Sequence, residues 1–480
     1  MSRLTRRDVL RGLSATGALA IGAGALAACG ATPTPQVVEK VVEKEVTKIV
    51  EGTPQVVKET VVVQQTVESV ITATPNPQAA SAGKVAVRWG VWSSGAWLEL
   101  ENQIATAYNE KQDKVVLAVE ASPWGQYWDK LQVSLAAGTA PDLIWMSGAM
   151  FLNLVEKGGL LDLTDLVGST GFDISKYYTQ PNIFDWQGKM YGMPWSMGVQ
   201  VLYVNKKAFQ DAGVALPPEK WDDPKWTWTE FLDAAKALTK GTERYGVESD
   251  NGMEFYWGNY VWSNGGDVLS KDQKHTALDT PEATEALQFA VDLIHKYNVA
   301  PKPNDPNVFQ AGAPRPFALG KVAMDLGNNA YIPDYVAQIK DFEWGLYPLP
   351  KAPKSGAKPA PSFNGNPICV AAKSQVAKQA FDALSFLSGE EGMHMVAAGK
   401  LTMPALKSAA ESEPYITPPP TGMMRLAEGK PYAQDLRFTK YWLEWVTKMG
   451  AELDKAFIGE SSVPDAIKSA VSQCDQVLNQ

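Results

Sequence analysis

From residue 85 to the C-terminus the chain alternates short apolar runs with stretches of helical periodicity, and that alternation limits the folds open to it. Val85-Ala-Val-Arg-Trp-Gly-Val-Trp alternates as a short strand does, and Leu98, Ile104, Ala105 and Tyr108 follow at helical spacing. Val115-Val-Leu-Ala-Val-Glu is a second strand. Trp128, Leu131 and Leu135 then share one helical face that ends at Gly138, and Pro141-Asp-Leu-Ile-Trp-Met is a third strand. Strands separated by helices imply parallel βαβ units and an α/β sheet. Ligands of such sheets bind beyond the carboxyl ends of the strands. Trp92, Ser93, Ser94, Trp124 and Ser147 stand there and are candidate binding residues. The alternating region, 84–480, is too long for one ordinary core.

What precedes it has a different character. Arg6 and Arg7 stand ahead of a weak, small-residue apolar stretch from Leu13 to Ala28, too short for a membrane span and ordered like a signal peptide. The paired arginines resemble a twin-arginine export signal. Leu26-Ala27-Ala28-Cys29-Gly30 resembles a bacterial lipobox, which implies removal of residues 1–28 and lipid attachment to Cys29. Residues 29–83 contain no Trp, Phe or Tyr and repeat a Thr-Pro-Gln-Val-Val unit at 34 and 53. Without aromatics this spacer reads as a solvated tether. Val42, Ile49, Val56, Val63 and Val70 fall on one seven-residue row, so a coiled stalk is the second reading.

Charge and rare residues narrow the function. There are 44 basic and 53 acidic side chains, and loss of residues 1–28 leaves 40 and 52, a net charge of −12. That balance argues against nucleic acid, whose phosphates need a basic footprint. Three histidines offer little for metal or acid–base sites, and no phosphate-binding Gly-x-x-x-x-Gly-Lys loop occurs, so neither cofactor nor metal is expected. All sixteen tryptophans lie at or after Trp89.

A run of motifs then carries a resemblance. Ala140-Pro-Asp-Leu-Ile, Lys189-Met-Tyr-Gly-Met-Pro-Trp195, Val201-Leu-Tyr-Val-Asn-Lys-Lys-Ala-Phe209 and Trp226-Thr-Trp-Thr-Glu-Phe231 appear in order. Phe317-Ala-Leu-Gly-Lys-Val-Ala-Met324, Gly345-Leu-Tyr-Pro-Leu-Pro350 and Tyr441-Trp-Leu-Glu-Trp complete the series. The region resembles the extracellular solute-binding proteins of family 1, the sugar-binding, maltodextrin-type components of ABC importers. The resemblance implies a periplasmic-binding-protein fold of two α/β lobes, 84–196 plus 367–411 and 197–366 plus 412–480. Crossings are implied near Pro194–Gln200, Phe363–Ile368 and Glu411–Pro414. It also implies capture of a sugar or oligosaccharide by hinge closure, ABC permease subunits as partners, and a monomer without catalytic activity. Lipid would hold it to the outer face of the cytoplasmic membrane.

Sugars present flat C–H patches and a rim of hydroxyls, matched by aromatic faces and by Asn, Asp and Ser. By position within the family, Trp195 near the first crossing, Trp257 and Trp262 before Asn264, Asn328 and Asn329, and Asn364 and Asn366 at the second crossing join the candidates. The chain departs from the family in carrying neutral Ser93 and Ser94 where relatives have charged groups. It also has Tyr331 as the nearest aromatic after Asn329. Packing is the alternative for the tryptophans, and Asn328 and Asn364 read equally as turn residues. Trp226, Trp228, Trp442 and Trp445 are read as structural. Asp279 or Thr280 caps a helix before Pro281. Cys369 and Cys474 are read as separate buried thiols, a bridge being the alternative. Two other functions stay open: a binding protein for a polyamine or glycerol phosphodiester, and a secreted carbohydrate-active hydrolase or lyase.

Overall fold

The computed structural model describes residues 36–50, 53–67, 83–180, 182–310 and 312–480. The leader 1–28 and the Cys29 lipidation site lie outside these residues.

The described part of the spacer is a hairpin. Strand β1 (Gln36–Val50) pairs antiparallel with β2 (Thr53–Val67), from Gln36 opposite Val67 to Val50 opposite Thr53. The extended backbone departs from the coiled stalk of the second sequence reading. Runs of Val, Ile and Thr favour extended backbone, and Pro54 interrupts any helix while being tolerated at a strand start.

The segment from Val85 onward builds the unit that follows. Strand β3 (Val85–Val91) leads to helix α1 (Gly95–Lys111), β4 (Val115–Ala121), α2 (Trp124–Ala137) and β5 (Leu143–Trp145). These three strands are mutually parallel, β4 and β5 flanking β3. Helix α1 buries Leu100, Ile104, Ala105 and Tyr108, together with Glu101. Helix α2 buries Tyr127, Trp128 and Leu131 and ends at Gly138, whose left-handed φ of 73° suits a residue without a side chain. Strand β6 (Gly192–Val199) joins the same sheet. After the single residue Gln200 the chain continues as β7 (Val201–Asn205) in a second sheet.

Helix α3 (Trp228–Leu238) and strand β8 (Tyr245–Val247) follow, then α4 (Pro281–His295), β9 (Val322–Gly327) and β10 (Trp344–Tyr347). The second sheet has the order β8–β9–β7–β10. The chain re-enters the first sheet through β11 (Ser362–Val370), adds β12 (Met403–Pro404) and β13 (Gln434–Asp435), and closes with helices α5 (Trp442–Phe457) and α6 (Val463–Leu478). The first sheet runs β12–β6–β11–β5–β3–β4, with β13 beside β11. Parallel pairing covers only part of each sheet. Strands β6 and β11 are antiparallel to each other, and β11 is antiparallel to β5, because these strands carry the chain between the sheets rather than closing a βαβ turn.

Local chemistry fixes the helix ends. Thr227 and Glu230 form a reciprocal capping box on α3, and Thr280 Oγ accepts from the Ala283 amide at 3.3 Å, with Pro281 in the first turn of α4. Trp226 Nε1 donates to Pro348 O at 3.0 Å and Trp445 Nε1 to Thr276 Oγ1 at 2.9 Å, so both indoles are core members with their N–H satisfied. Cys369 in β11 and Cys474 in α6 are separate buried thiols. Among the described residues no helix is long and apolar enough to cross a membrane.

Candidate functional site

The strand-end rule leads to a small cavity where the sheets face each other. The carboxyl ends of β3 and β5 deliver Trp92, Ser93 and Trp145, and the first turn of α1 adds Trp97. Strand β6 contributes Ser196, Met197 and Gly198, β11 contributes Asn364 and Asn366, and Thr402 precedes β12. Asn328, Asn329 and Ala330 reach in from the second sheet, just beyond β9. The space is about 160 Å³, compact beside the roughly 300–1,000 Å³ common for ligand pockets.

One wall is aromatic. Trp92 stacks on Trp145 with centroids 4.2 Å apart and planes at 12°, and Trp97 leans on Trp145 at 5.3 Å. The other wall is made of amides and hydroxyls whose orientations are set by partners behind them. Asn329 Nδ2 donates to Thr402 Oγ1 at 2.8 Å, a bond from the second sheet's loop to the first sheet, which leaves Asn329 Oδ1 buried and unpartnered. Asn328 Oδ1 accepts from the Ala330 amide at 2.9 Å, leaving its Nδ2 free to donate. Trp145 Nε1 is also buried without a partner. A buried unpaired polar atom costs about 1–3 kcal/mol, a cost that a ligand reaching either atom would offset. No lining residue carries a charge.

Gly198 sits where the amides converge. A Cβ there would lie 2.8 Å from Asn364 Oδ1, 3.0 Å from Asn328 Nδ2 and 3.2 Å from Asn329 Oδ1. The absence of a side chain lets the loop of the second sheet close on β6.

Two acids stand behind the wall. Ser93 Oγ donates to Glu101 Oε1 at 2.7 Å, and Glu101, 1% exposed, has its carboxyl pushed up to about 8 by burial, with the Ser93 bond opposing. Asn364 Nδ2 donates to Glu254 Oε1, and burial pushes that carboxyl up to about 7. Glu254 lies in the π-helical turn Met253–Trp257, a geometry frequent at functional sites. The turn is tied to the crossing strands: Ser362 Oγ donates to Glu254 O at 2.6 Å and Gln200 Nε2 to Phe255 O at 2.5 Å.

A deeper ionic group supports the 328–331 loop. Tyr256 Oη donates to Glu248 Oε1 at 2.9 Å, and Tyr335 Oη donates to Asp325 in β9. Arg315 bonds both tyrosine hydroxyls, at 3.0 and 3.2 Å, and lies 3.6 Å over the Tyr331 ring. Burial raises both carboxyls; Asp325 adds repulsion at Glu248, and Arg315 opposes the rise at each.

Of the residues singled out from sequence, Trp92, Ser93, Asn328, Asn329, Asn364 and Asn366 line the cavity. The other six do not. Ser94 is exposed at the start of α1, and Ser147 precedes helix Gly148–Glu156 without lining the cavity. Trp124 is 53% exposed and stands outside the wall, edge-on to Trp92 at 5.1 Å. Trp195 is turned into the core against Trp89, edge-on at 5.5 Å, so its neighbour Ser196 reaches the cavity instead. Trp257 is buried and donates to Asn251 Oδ1 at 3.2 Å. Trp262 packs in a separate crevice with Val268, Leu436 and Trp442. Sequence reasoning missed Trp97, Trp145, Ser196, Met197, Gly198, Ala330 and Thr402. Only the two tryptophans carried a signal, Trp145 as the last residue of an apolar strand and Trp97 as an aromatic one turn beyond the first strand end.

A larger hollow, about 570 Å³, lies at the opposite end of the first sheet, where β3 and β5 begin. Its two central charged groups, Arg88 and Asp142, already have partners. Arg88 pairs with Glu120 at 2.6 Å, and Asp142 accepts from the Arg88 amide at 3.0 Å and from Ser374 Oγ at 2.6 Å. The smaller cavity, with its unpaired atoms, is the better candidate.

Known proteins place this geometry. The chain is 28% identical over 220 residues to the diacetylchitobiose-binding protein DasA of Streptomyces coelicolor, covering 45% of this chain and 49% of that one. An ABC substrate-binding protein of Listeria monocytogenes, solved in complex with cycloalternan, superposes with a TM-score of 0.73 at 25% identity, covering 82% of this chain and 99% of the other. The UgpB protein of Mycobacterium tuberculosis, solved with glycerophosphocholine, superposes with a TM-score of 0.70 at 18% identity, covering 83% and 99%. The two sheets are thus the two lobes of a periplasmic-binding-protein fold. The family model for bacterial extracellular solute-binding proteins matches residues 103–421, well over half of the chain, and the chain belongs to that family.

Proposed function

We propose that this protein is the capture component of an ABC importer and that its cavity holds a neutral sugar or part of an oligosaccharide. The carrying observation is the pairing of an indole wall, in which Trp145 Nε1 has no partner, with an uncharged amide wall, in which Asn329 Oδ1 has none. Sugar rings match the first and sugar hydroxyls the second, since each hydroxyl both donates and accepts. Closure of the lobes follows from the ligand's greater affinity for the closed state. A phosphodiester such as the UgpB ligand would find no cation in this wall, and a polyamine no lining carboxylate. Glycosidase chemistry needs two carboxylates flanking the bond; the lining has neither, which supports release of the ligand unchanged. In this reading the protein works as a monomer, is anchored through lipid on Cys29, and delivers its ligand to a membrane permease.

The test is a thermal-shift screen of the full chain against neutral mono- and oligosaccharides, sugar phosphates, glycerophosphocholine and polyamines. A ligand near one hundred times its Kd stabilises by about 2.7 kcal/mol, so a neutral sugar raises the melting temperature measurably. A shift with polyamine or phosphodiester and none with any sugar refutes the ligand class. Multiple turnover of an oligosaccharide refutes the absence of catalysis.

A further inference from the structure

The Asn364 side chain is a carboxamide, able to present either its oxygen or its nitrogen to the cavity. What decides is the group behind it. Asn364 Nδ2 donates to Glu254 Oε1, and above the raised pKa near 7 the ionised carboxylate has only lone pairs to offer, so there the nitrogen must face Glu254 and the oxygen must face away. The carboxylate cannot drift, because the turn that carries it is bonded to both crossing strands through Ser362 Oγ and Gln200 Nε2. On its other side Asn364 Oδ1 approaches the Gly198 corner, where Asn329 Oδ1 also points and Asn328 Nδ2 supplies a donor. The Asn329 orientation is fixed in the same way by Thr402 and that of Asn328 by the Ala330 amide.

We propose that Glu254 is a positioning residue that holds Asn364 with its carbonyl oxygen toward the cavity. This corner then reads hydroxyl donors on a neutral sugar and turns away phosphate and carboxylate oxygens. The inference rests on the sugar reading above and deepens it. A hydroxyl donates to one of the two amide oxygens and accepts from Asn328 Nδ2. A phosphate oxygen has no proton to donate, and it would face two oxygens with a carboxylate behind one of them.

The experiment uses the full chain and isothermal titration with maltose, diacetylchitobiose and an arabinooligosaccharide, against glucose phosphate and glycerophosphocholine. For whichever neutral sugar binds, Glu254→Gln frees the Asn364 amide to turn and weakens binding by about tenfold or more, the scale of one misdirected hydrogen bond. Asn364→Asp sets two carboxylates against each other and weakens it similarly. The double variant E254Q/N364D again places an amide nitrogen against a carboxylate oxygen, with an acceptor toward the cavity, and recovers affinity to within a few-fold of the starting protein. A merely structural role gives losses that add in the double variant, and that outcome overturns the proposal while leaving the sugar reading intact. Equal affinity of the unaltered protein for a neutral sugar and glucose phosphate also overturns it, without any variant needing to fold. Binding of glycerophosphocholine with no response to any sugar, or no response to any probe, overturns both.

Discussion

Gly198→Ala probes lobe closure at the corner where the amides of the two sheets meet. The added methyl would stand 2.8 Å from Asn364 Oδ1, 3.0 Å from Asn328 Nδ2 and 3.2 Å from Asn329 Oδ1, all inside ordinary van der Waals contact. Two of those atoms belong to the loop beyond β9 in the second sheet, the loop whose Asn329 reaches across to Thr402 at 2.8 Å. Opening the lobes relieves the contacts with Asn328 and Asn329 but not the one with Asn364, which pairs with Gly198 across the first sheet, so only part of the penalty falls on the closed state. Overpacking of this kind costs about 1–3 kcal/mol, which corresponds to roughly 5- to 150-fold in affinity. Titration calorimetry with a sugar that the unaltered protein binds gives this loss directly. The free protein's melting temperature is expected to shift less than the bound protein's. An affinity within twofold of the starting value refutes the reasoning, because it shows that the amides do not need this approach to bind.

Other outcomes follow from the same geometry. Trp145→Ala removes both a stacking face and an unpaired donor and is expected to weaken sugar binding by tenfold or more, on the scale of about 1–3 kcal/mol for such a group. Trp124→Ala, outside the wall, changes affinity for a single-ring sugar by less than about threefold, the scale of a rim contact; titration of both variants compares them. Glu101 has a folded pKa near 8, above its value in the unfolded chain. Its contribution to stability is therefore complete at acid pH and is lost as pH rises toward 8. Glu101→Gln flattens that decline in melting experiments from pH 5 to 8. Arg315→Met removes the cation 4.0 Å from both Glu248 and Asp325 and its bonds to the Tyr256 and Tyr335 hydroxyls, and destabilises by about 1–3 kcal/mol, the cost of leaving buried polar groups unpaired. The raised pKa values of both carboxyls give the sign: acid pH protonates them and part of the loss is recovered, as denaturant titrations at pH 5 and 8 would show.

The sequence carried the strand ends well. Val85–Trp92 and Pro141–Met146 are short apolar runs bounded by turn residues, and their carboxyl ends deliver Trp92, Ser93 and Trp145 to the cavity. The amides at 328, 329, 364 and 366 were found through the family's order of motifs, and no local pattern distinguished them from turn residues. Strand β6 shows why side-chain direction was illegible. Trp195 and Ser196 are neighbours on an alternating strand, and which one faces the cavity depends on the partner strand β11, whose register shifts between Asn366 and Pro367. Glu101 and Glu254 were invisible for another reason: an acid is presumed to be at the surface until tertiary packing encloses it. The mixed strand directions escaped likewise, because β6 and β11 are defined by long-range pairing and not by their own composition.

The uncharged lining has a kinetic consequence. With no ionic partner waiting in the cavity, a neutral solute is neither drawn in by the protein's field nor repelled by its net negative surface. Association then lacks the electrostatic acceleration that ionic strength abolishes, and both the on-rate and the affinity should hold constant as salt varies. A receptor facing the outside of a cell, where salinity is set by the surroundings, would keep the same sensitivity to its nutrient in fresh water and in brine.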